Sequence, residues 1–277
     1  MKTALGILLM LLGLMVSTGL CSENKETPSV DMIIARSNHM ALYQGADCLG
    51  TVAMAIKDKQ GRVRKREFNM LRKNGDNQDK EQKYYVYFRS PADVRKMVFM
   101  VHKHVGEGKD DDRWMYLPNL DLVKRIAASD KRTSFVGSDF LYEDISGRSP
   151  EEDKHELLEI TDKHFVLKNM PKKADAVEFA YYVAFIDKQS FMPVKMEYYK
   201  ADNRSYRVVE TVAIESIASM ENGMPVTYPT VIRSIARDLD NDSQTEMVFS
   251  NVRYNLELGD DLFTERYLRR APREVLQ

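Results

Sequence analysis

The sequence predicts a mainly β protein, one extended antiparallel meander of about eleven strands with few helices. Three observations carry that expectation. Apolar residues alternate at period two through most of the chain after Gly50. The runs are separated by turn chemistry, such as Asp58-Lys59-Gln60-Gly61, Asn74-Gly75-Asp76-Asn77 and Glu221-Asn222-Gly223. No helical pattern of crossover length lies between the runs, which argues against a parallel α/β sheet.

The elements follow in chain order. Lys2 precedes an apolar run from Ala4 to Val16, and small or neutral residues follow it. The run is shorter than the ~20 residues of a spanning helix, and the pattern is that of a secretory signal peptide over residues 1–21. A buried N-terminal helix is the alternative. Cys21 is a candidate lipidation site, although Leu20 is large where a lipoprotein signal carries a small residue; ordinary cleavage near residues 19–22 is the other outcome. Residues 22–29 read as a polar tether, and 30–277 as the folded domain. Thr27-Pro28 offers a helix start. Val30, Ile33, Ile34, Met40 and Ala41 then share a helical face, and Gly45 is the stop.

Strands are expected around Val52–Ile56, up to Phe68 and Met70, and over Tyr84–Phe88. In the next, Val98, Met100, His102 and His104 share one face, and Met97, Phe99, Val101 and Lys103 the other. Further runs fall at 112–117, 154–161, 164–170, 179–187, 193–199, 205–219, 230–238 and 244–256. The stretch 128–153 breaks the meander. It is rich in Ser, Asp, Gly and aromatics, with Ser138 placed to cap a short helix from Asp139. It is the candidate flap over the sheet.

Composition and motif spacing exclude several functions. The chain of 277 residues balances 41 basic against 42 acidic side chains, so no positive field exists to draw nucleic acid. Two cysteines cannot staple a small domain. Gly106-Glu107-Gly108-Lys109 lacks the first glycine and the Ser/Thr of a phosphate loop. Asp238, Asp240 and Asp242 start an EF-hand spacing that Ser243 and Phe249 break. His102 and His104 near Asp110–Asp112 read as a strand end rather than a metal site. No nucleophile elbow, redox cysteine pair or zinc-protease motif is present, so neither catalytic residues nor cofactors are expected. Of the 16 methionines, 13 follow the signal segment; these, among them Met54, Met70, Met100, Met196 and Met247, suit either a soft core or a surface for a variable apolar guest.

One stretch is more specific. Asp112-Arg113-Trp114-Met115-Tyr116-Leu117-Pro118-Asn119-Leu120, then Arg125-Ile126-Ala127, then Phe135-Val136-Gly137-Ser138-Asp139-Phe140-Leu141-Tyr142-Glu143-Asp144 resembles the bacterial outer-membrane lipoprotein-sorting proteins, larger relatives of the carrier LolA. Tyr87-Phe88-Arg89-Ser90-Pro91-Ala92-Asp93 also fits. The likeness spans roughly residues 30–270. It implies an unclosed antiparallel β-barrel with helices across its concave apolar side. It also implies binding of a lipid or an acylated lipoprotein in the periplasm, with transient membrane contact and an inner-membrane exporter as a candidate partner. On that basis Val98, Met100, Trp114, Tyr116 and Leu117 are candidate lining residues of the sheet. Phe135, Phe140, Leu141 and Tyr142 are the candidate flap contacts. Arg125 with Asp139 or Asp144 is a candidate latch. A periplasmic adaptor that holds no lipid is the rival reading, and an envelope-acting enzyme the more distant one.

Overall fold

A computed structural model describes residues 27–106 and 109–276; the signal segment and Cys21 lie outside the described residues. Among the described residues the chain forms one antiparallel sheet of thirteen strands. The first six are β1 (Asp47–Lys57), β2 (Val63–Asn74), β3 (Glu81–Ser90), β4 (Val98–His104), β5 (Asp112–Leu117) and β6 (Leu122–Arg125). The other seven are β7 (Asp153–Ile160), β8 (His164–Pro171), β9 (Tyr181–Asp187), β10 (Pro193–Tyr199), β11 (Ser205–Glu221), β12 (Met224–Asp238) and β13 (Ser243–Tyr254). The expected runs are all present. The count exceeds eleven, and β6 was not foreseen: its four residues are mostly exposed and carry no alternation to read.

The strand order is β6-β5-β4-β3-β2-β1-β13-β12-β11-β10-β9-β8-β7. The chain therefore winds outward from the centre to one edge and returns from the opposite edge to the centre. Pairing of β1 with β13, for example Met54 opposite Met247, joins the two meanders. The edge strands β6 and β7 do not pair, so the barrel stays open. The connection from β6 to β7 has to travel between the two edges, and it does so across the concave face. That requirement explains why residues 128–152 interrupt the period-two pattern.

The helices are short. α1 (Val30–Asn38) is capped by the hydroxyl of Ser29, which accepts from the Met32 amide, so the cap lies two residues beyond Thr27. A wider helical turn, His39–Tyr43, continues it, and Gly45 with φ +65° ends it as expected. Helix carbonyls at such an end need donors. Here Arg72 donates to Leu42 O (2.5 Å), Gln82 to Leu42 O (2.7 Å) and Asn74 to Tyr43 O (2.9 Å). The end of the helical segment is thereby bonded to β2 and β3. α2 (Tyr142–Ser146) starts three residues later than expected. The Ser138 hydroxyl instead donates to Phe135 O (2.7 Å) and closes a turn. α3 (Arg266–Arg269) lies in the C-terminal segment. No helix among the described residues is long and apolar enough to cross a membrane.

Both faces of the first meander are covered. On the concave face Phe135 is fully buried among Phe68, Phe88, Phe99 and Tyr142, with ring centroids 5.4–6.0 Å from its own. On the convex face Leu258, Leu262, Phe263, Leu268 and Val275 pack against Leu49, Leu71, Tyr85, Val98 and Met100. The C-terminal cover is fixed by polar bonds as well. The Asp47 carboxylate accepts from the amides of Leu256 (2.6 Å) and Leu258 (2.8 Å), and Tyr85 donates to Tyr267 O (2.7 Å). At the far side of the concave face α1 inserts Ile33 among Phe165, Leu167 and Ile186.

Candidate functional site

The crossing segment fills the concave face over β2–β5, and α1 fills it over β8 and β9. Between them an apolar cavity of about 290 Å³ remains. Its floor is built from alternate residues of several strands: Phe68 and Met70, Val209, Met196, Met247 and Phe249. Its cover comes from Ile34, Ala41 and Leu42 on the helical segment and from Phe140 and Ile145 on the crossing. Three of the methionines singled out by the sequence, Met70, Met196 and Met247, line this space. Unbranched thioether side chains adapt to the shape of a guest better than branched ones do.

Polar groups at the cavity are satisfied locally. His155 Nδ1 lies 2.7 Å from Asn169 Oδ1, and its Nε2 3.0 Å from Pro150 O. Tyr182 donates to Asp153 (2.9 Å), and its ring stacks on Tyr198 with centroids 5.2 Å apart. Burial beside the Asp153 carboxylate drives the Tyr182 phenol well above its usual range, so it stays a donor. At one end the wall is ionic: Arg148 pairs with Glu143 (3.2 Å), Glu152 (2.8 Å) and Asp153 (2.9 Å), and Lys131 with Glu143 (3.2 Å) and Glu152 (2.9 Å). Burial raises the Glu143 carboxyl above the usual carboxylate range despite those cations. Glu152 is more open to solvent; although burial opposes it, Arg148 and Lys131 hold its carboxyl low. Among the described residues no three His, Cys, Asp or Glu side chains converge to hold a metal ion.

The structure divides the residues expected to form one site. Phe135, Phe140 and Tyr142 lie on the concave face as a set, with Phe140 at the cavity and the other two locked in the aromatic cluster. Leu141 precedes α2 and is half-buried. Leu117 packs against the concave cluster. Val98, Met100, Trp114 and Tyr116 belong to the convex face, under the C-terminal segment. There the Trp114 ring meets His102 at 5.0 Å, and His102 Nε2 lies 2.7 Å from Phe263 O. His102 is therefore held beneath the C-terminal cover, not at a solvated strand end. Trp114 and the flap aromatics do not face each other, because residues 114 and 115 of one strand point to opposite faces.

The expected latch is also re-partnered. Arg125 pairs with Asp112 and lies over the Trp114 ring. Asp144 pairs with Arg207 of β11, and Asp139 accepts from Thr245 of β13 (2.6 Å). Both carboxylates do fix the crossing segment, but through the second meander. Apart from Met196 and Met247, the residues that wall the cavity from β9, β10, β11 and β13 were not expected from the sequence. Their signal was weak alternation with half-buried residues, which does not tell a cavity wall from an exposed face.

Comparison with known proteins agrees with this geometry. The model of a family described as "Uncharacterized protein" matches residues 80–270. A DUF1329 family protein from Desulfovibrio piger superposes with a TM-score of 0.74 at 27% identity, covering 87% of this chain and 100% of its own. A putative outer membrane lipoprotein-sorting protein domain from Vibrio parahaemolyticus gives 0.72 at 24% identity, over 87% and 96%. A LolA superfamily protein from Nitrosomonas europaea gives 0.64 at 17% identity, over 87% and 100%; these last two share the fold. No curated protein matches the sequence. An open antiparallel half-barrel with a covered concave cavity defines the LolA-like class of fold. The chain belongs to the family whose model matches residues 80–270, and its fold is LolA-like.

Proposed function

We propose that this protein binds the acyl chain of a lipid or lipoprotein in its concave cavity and carries it through the periplasm. The observation that supports this reading is the apolar cavity between the sheet and its two covers, walled by Met70, Met196, Met247 and Phe249. The fold shared with a putative lipoprotein-sorting domain and a LolA superfamily protein supports the same reading. The physical need is plain: a sixteen-carbon chain exposed to water costs on the order of 12 kcal/mol at ~0.8 kcal/mol per methylene. A carrier replaces the membrane interior during transit and must still release its guest. Adaptable methionine walls and a cover made of short segments suit that task. At about 290 Å³ the volume lies just below the range of ligand sites, roughly 300 to 1,000 Å³, and suits part of one slender chain. An inner-membrane exporter as donor, and transient contact with a membrane at loading, belong to the same proposal.

The test is mass spectrometry of organic extracts from protein purified from its native envelope without detergent, beside a Met196→Trp variant that fills the cavity. One lipid class enriched in stoichiometric amount, and lost in the variant, is the expected result. An extract equal to a mock purification, before and after incubation with envelope vesicles, overturns carriage and leaves the adaptor reading.

A further inference from the structure

A second, larger cavity of about 730 Å³ lies beside the apolar one, and its lining is ionic. Glu143, Gly147 and Arg148 line both cavities, so the two spaces share a wall at the end of α2. The inner wall of the polar chamber holds Lys103 and Arg113, each only 2% exposed. Lys103 Nζ donates to two backbone carbonyls, Ser146 O (2.7 Å) and Gly147 O (3.2 Å). Among the described residues it has no carboxylate within ion-pair distance, unlike Lys131 and Arg148 beside it. Arg113 pairs with Asp111, but its Nε is buried without a hydrogen-bond partner. Lys109, Lys172 and Lys173 are exposed lining residues, as are the acids Asp110, Glu151 and Asp175; among the described residues none of the three lysines has a carboxylate within ion-pair distance, and Lys172 Nζ donates to Glu151 O (2.8 Å).

Lys103 Nζ also lies 5.7 Å from the centroid of the Tyr43 ring. A buried ammonium held by carbonyls and a ring face, with no carboxylate in ion-pair distance, is still costly, because these groups replace its hydration shell incompletely. Burial lowers its pKa to about 8. A buried arginine nitrogen without an acceptor adds to the deficit. One ligand chemistry relieves both: an oxyanion, which accepts charge-assisted bonds from ammonium and guanidinium alike. The apolar cavity next door supplies the place for a chain attached to it.

We propose that the polar chamber receives the phosphate head of an anionic amphiphile whose acyl chain occupies the apolar cavity, with Lys103 and Arg113 as its inner contacts. This rests on the carrier reading and adds the class of head group. Recognition would then be bipartite. The chain provides affinity, and the head provides selection against neutral lipids.

Calorimetric titration of the whole folded protein, below the micelle concentration, tests it with three probes: decyl phosphate, decan-1-ol and inorganic phosphate. Decyl phosphate is expected to bind at least about tenfold tighter than decanol, a difference of about 1.4 kcal/mol. That advantage is expected to vanish in Lys103→Met and to shrink in the exposed double variant Lys172→Glu/Lys173→Glu, whose surface positions preserve folding. Met196→Trp is expected to weaken both amphiphiles. Equal binding of alcohol and phosphate, unchanged in both charge variants, overturns the head-group assignment and leaves the carrier reading intact. Inorganic phosphate binding as tightly as decyl phosphate makes the chamber a free-phosphate site and overturns the amphiphile. Binding of neither amphiphile overturns the carrier reading itself.

Discussion

Arg207 is expected to be the principal tie between the crossing segment and the second meander, and its removal gives a quantitative test. It lies on β11 with 5% exposure, on the same face as the cavity residue Val209. One guanidinium nitrogen donates to the Asp144 carboxylate and, at 3.3 Å, to Asp139 O. The Asp144 Oδ2 also accepts from the Leu141 amide at 2.6 Å. The guanidinium covers the Tyr198 ring at 4.9 Å. Burial disfavours its charge, but Asp144 more than compensates and holds its pKa above the usual value. Arg207→Met keeps the apolar stem and removes the charge, leaving Asp144 buried without its counter-ion. Breaking a buried pair from one side costs about 3–5 kcal/mol, whereas replacing both partners with apolar groups costs far less. We therefore expect Arg207→Met to lower unfolding stability by about 3 kcal/mol or more. Arg207→Met/Asp144→Leu should recover most of that, with a coupling energy of about 2–3 kcal/mol in the four-corner cycle. Urea denaturation followed by circular dichroism measures all four proteins. A single-variant cost under about 1 kcal/mol, or an additive cycle, would show that the pair behaves like a solvated surface bridge and does not anchor the crossing.

Two further outcomes follow from the same region. Gly147 has φ +77°, and a Cβ built there would lie 2.3 Å from Leu42 Cδ1. Gly147→Ala should cost about 1–3 kcal/mol; adding Leu42→Ala should return the steric part and leave the backbone part, and a melting temperature equal to wild type in the single variant would refute this. Lys103 has its pKa lowered by burial from 10.5 to about 8, so between those values the unfolded chain binds the extra proton and stability rises with pH. Relative to Lys103→Met, the wild type should therefore gain stability from pH 8 to 10.5, by up to roughly 3 kcal/mol. A pH-independent difference between the two denaturation midpoints would contradict a buried, uncompensated ammonium.

The antiparallel class was legible because a strand displays its two faces locally. Val98 and Met100 alternate with Phe99 and Val101, and the sequence separates those pairs correctly. Turn residues such as Asn222-Gly223 mark where the chain reverses, because φ is positive there. α1 was readable from its apolar spacing, and the crossing segment from its loss of period. Arg207 was not legible as part of a site, and Met247 was legible only as one of the methionines suited to a guest or a soft core. Both lie more than sixty residues in sequence from the segment they meet, with no local signal of that contact.

What the sequence determined by itself is the set of strands, their two-sidedness and the place where the meander breaks, since each depends on neighbours a few residues apart. The tertiary structure decided which side is the inside. Period two assigns residues to faces but does not say which face curls inward. That choice follows from the β1–β13 pairing and from where residues 256–276 settle. The C-terminal segment covers Val98, Met100, Trp114 and Tyr116, and it leaves Phe99, Val101 and Met115 to the concave side. The cavity is likewise a tertiary product. It is the gap left where two covers, distant in the chain, stop short of one another over a curved sheet.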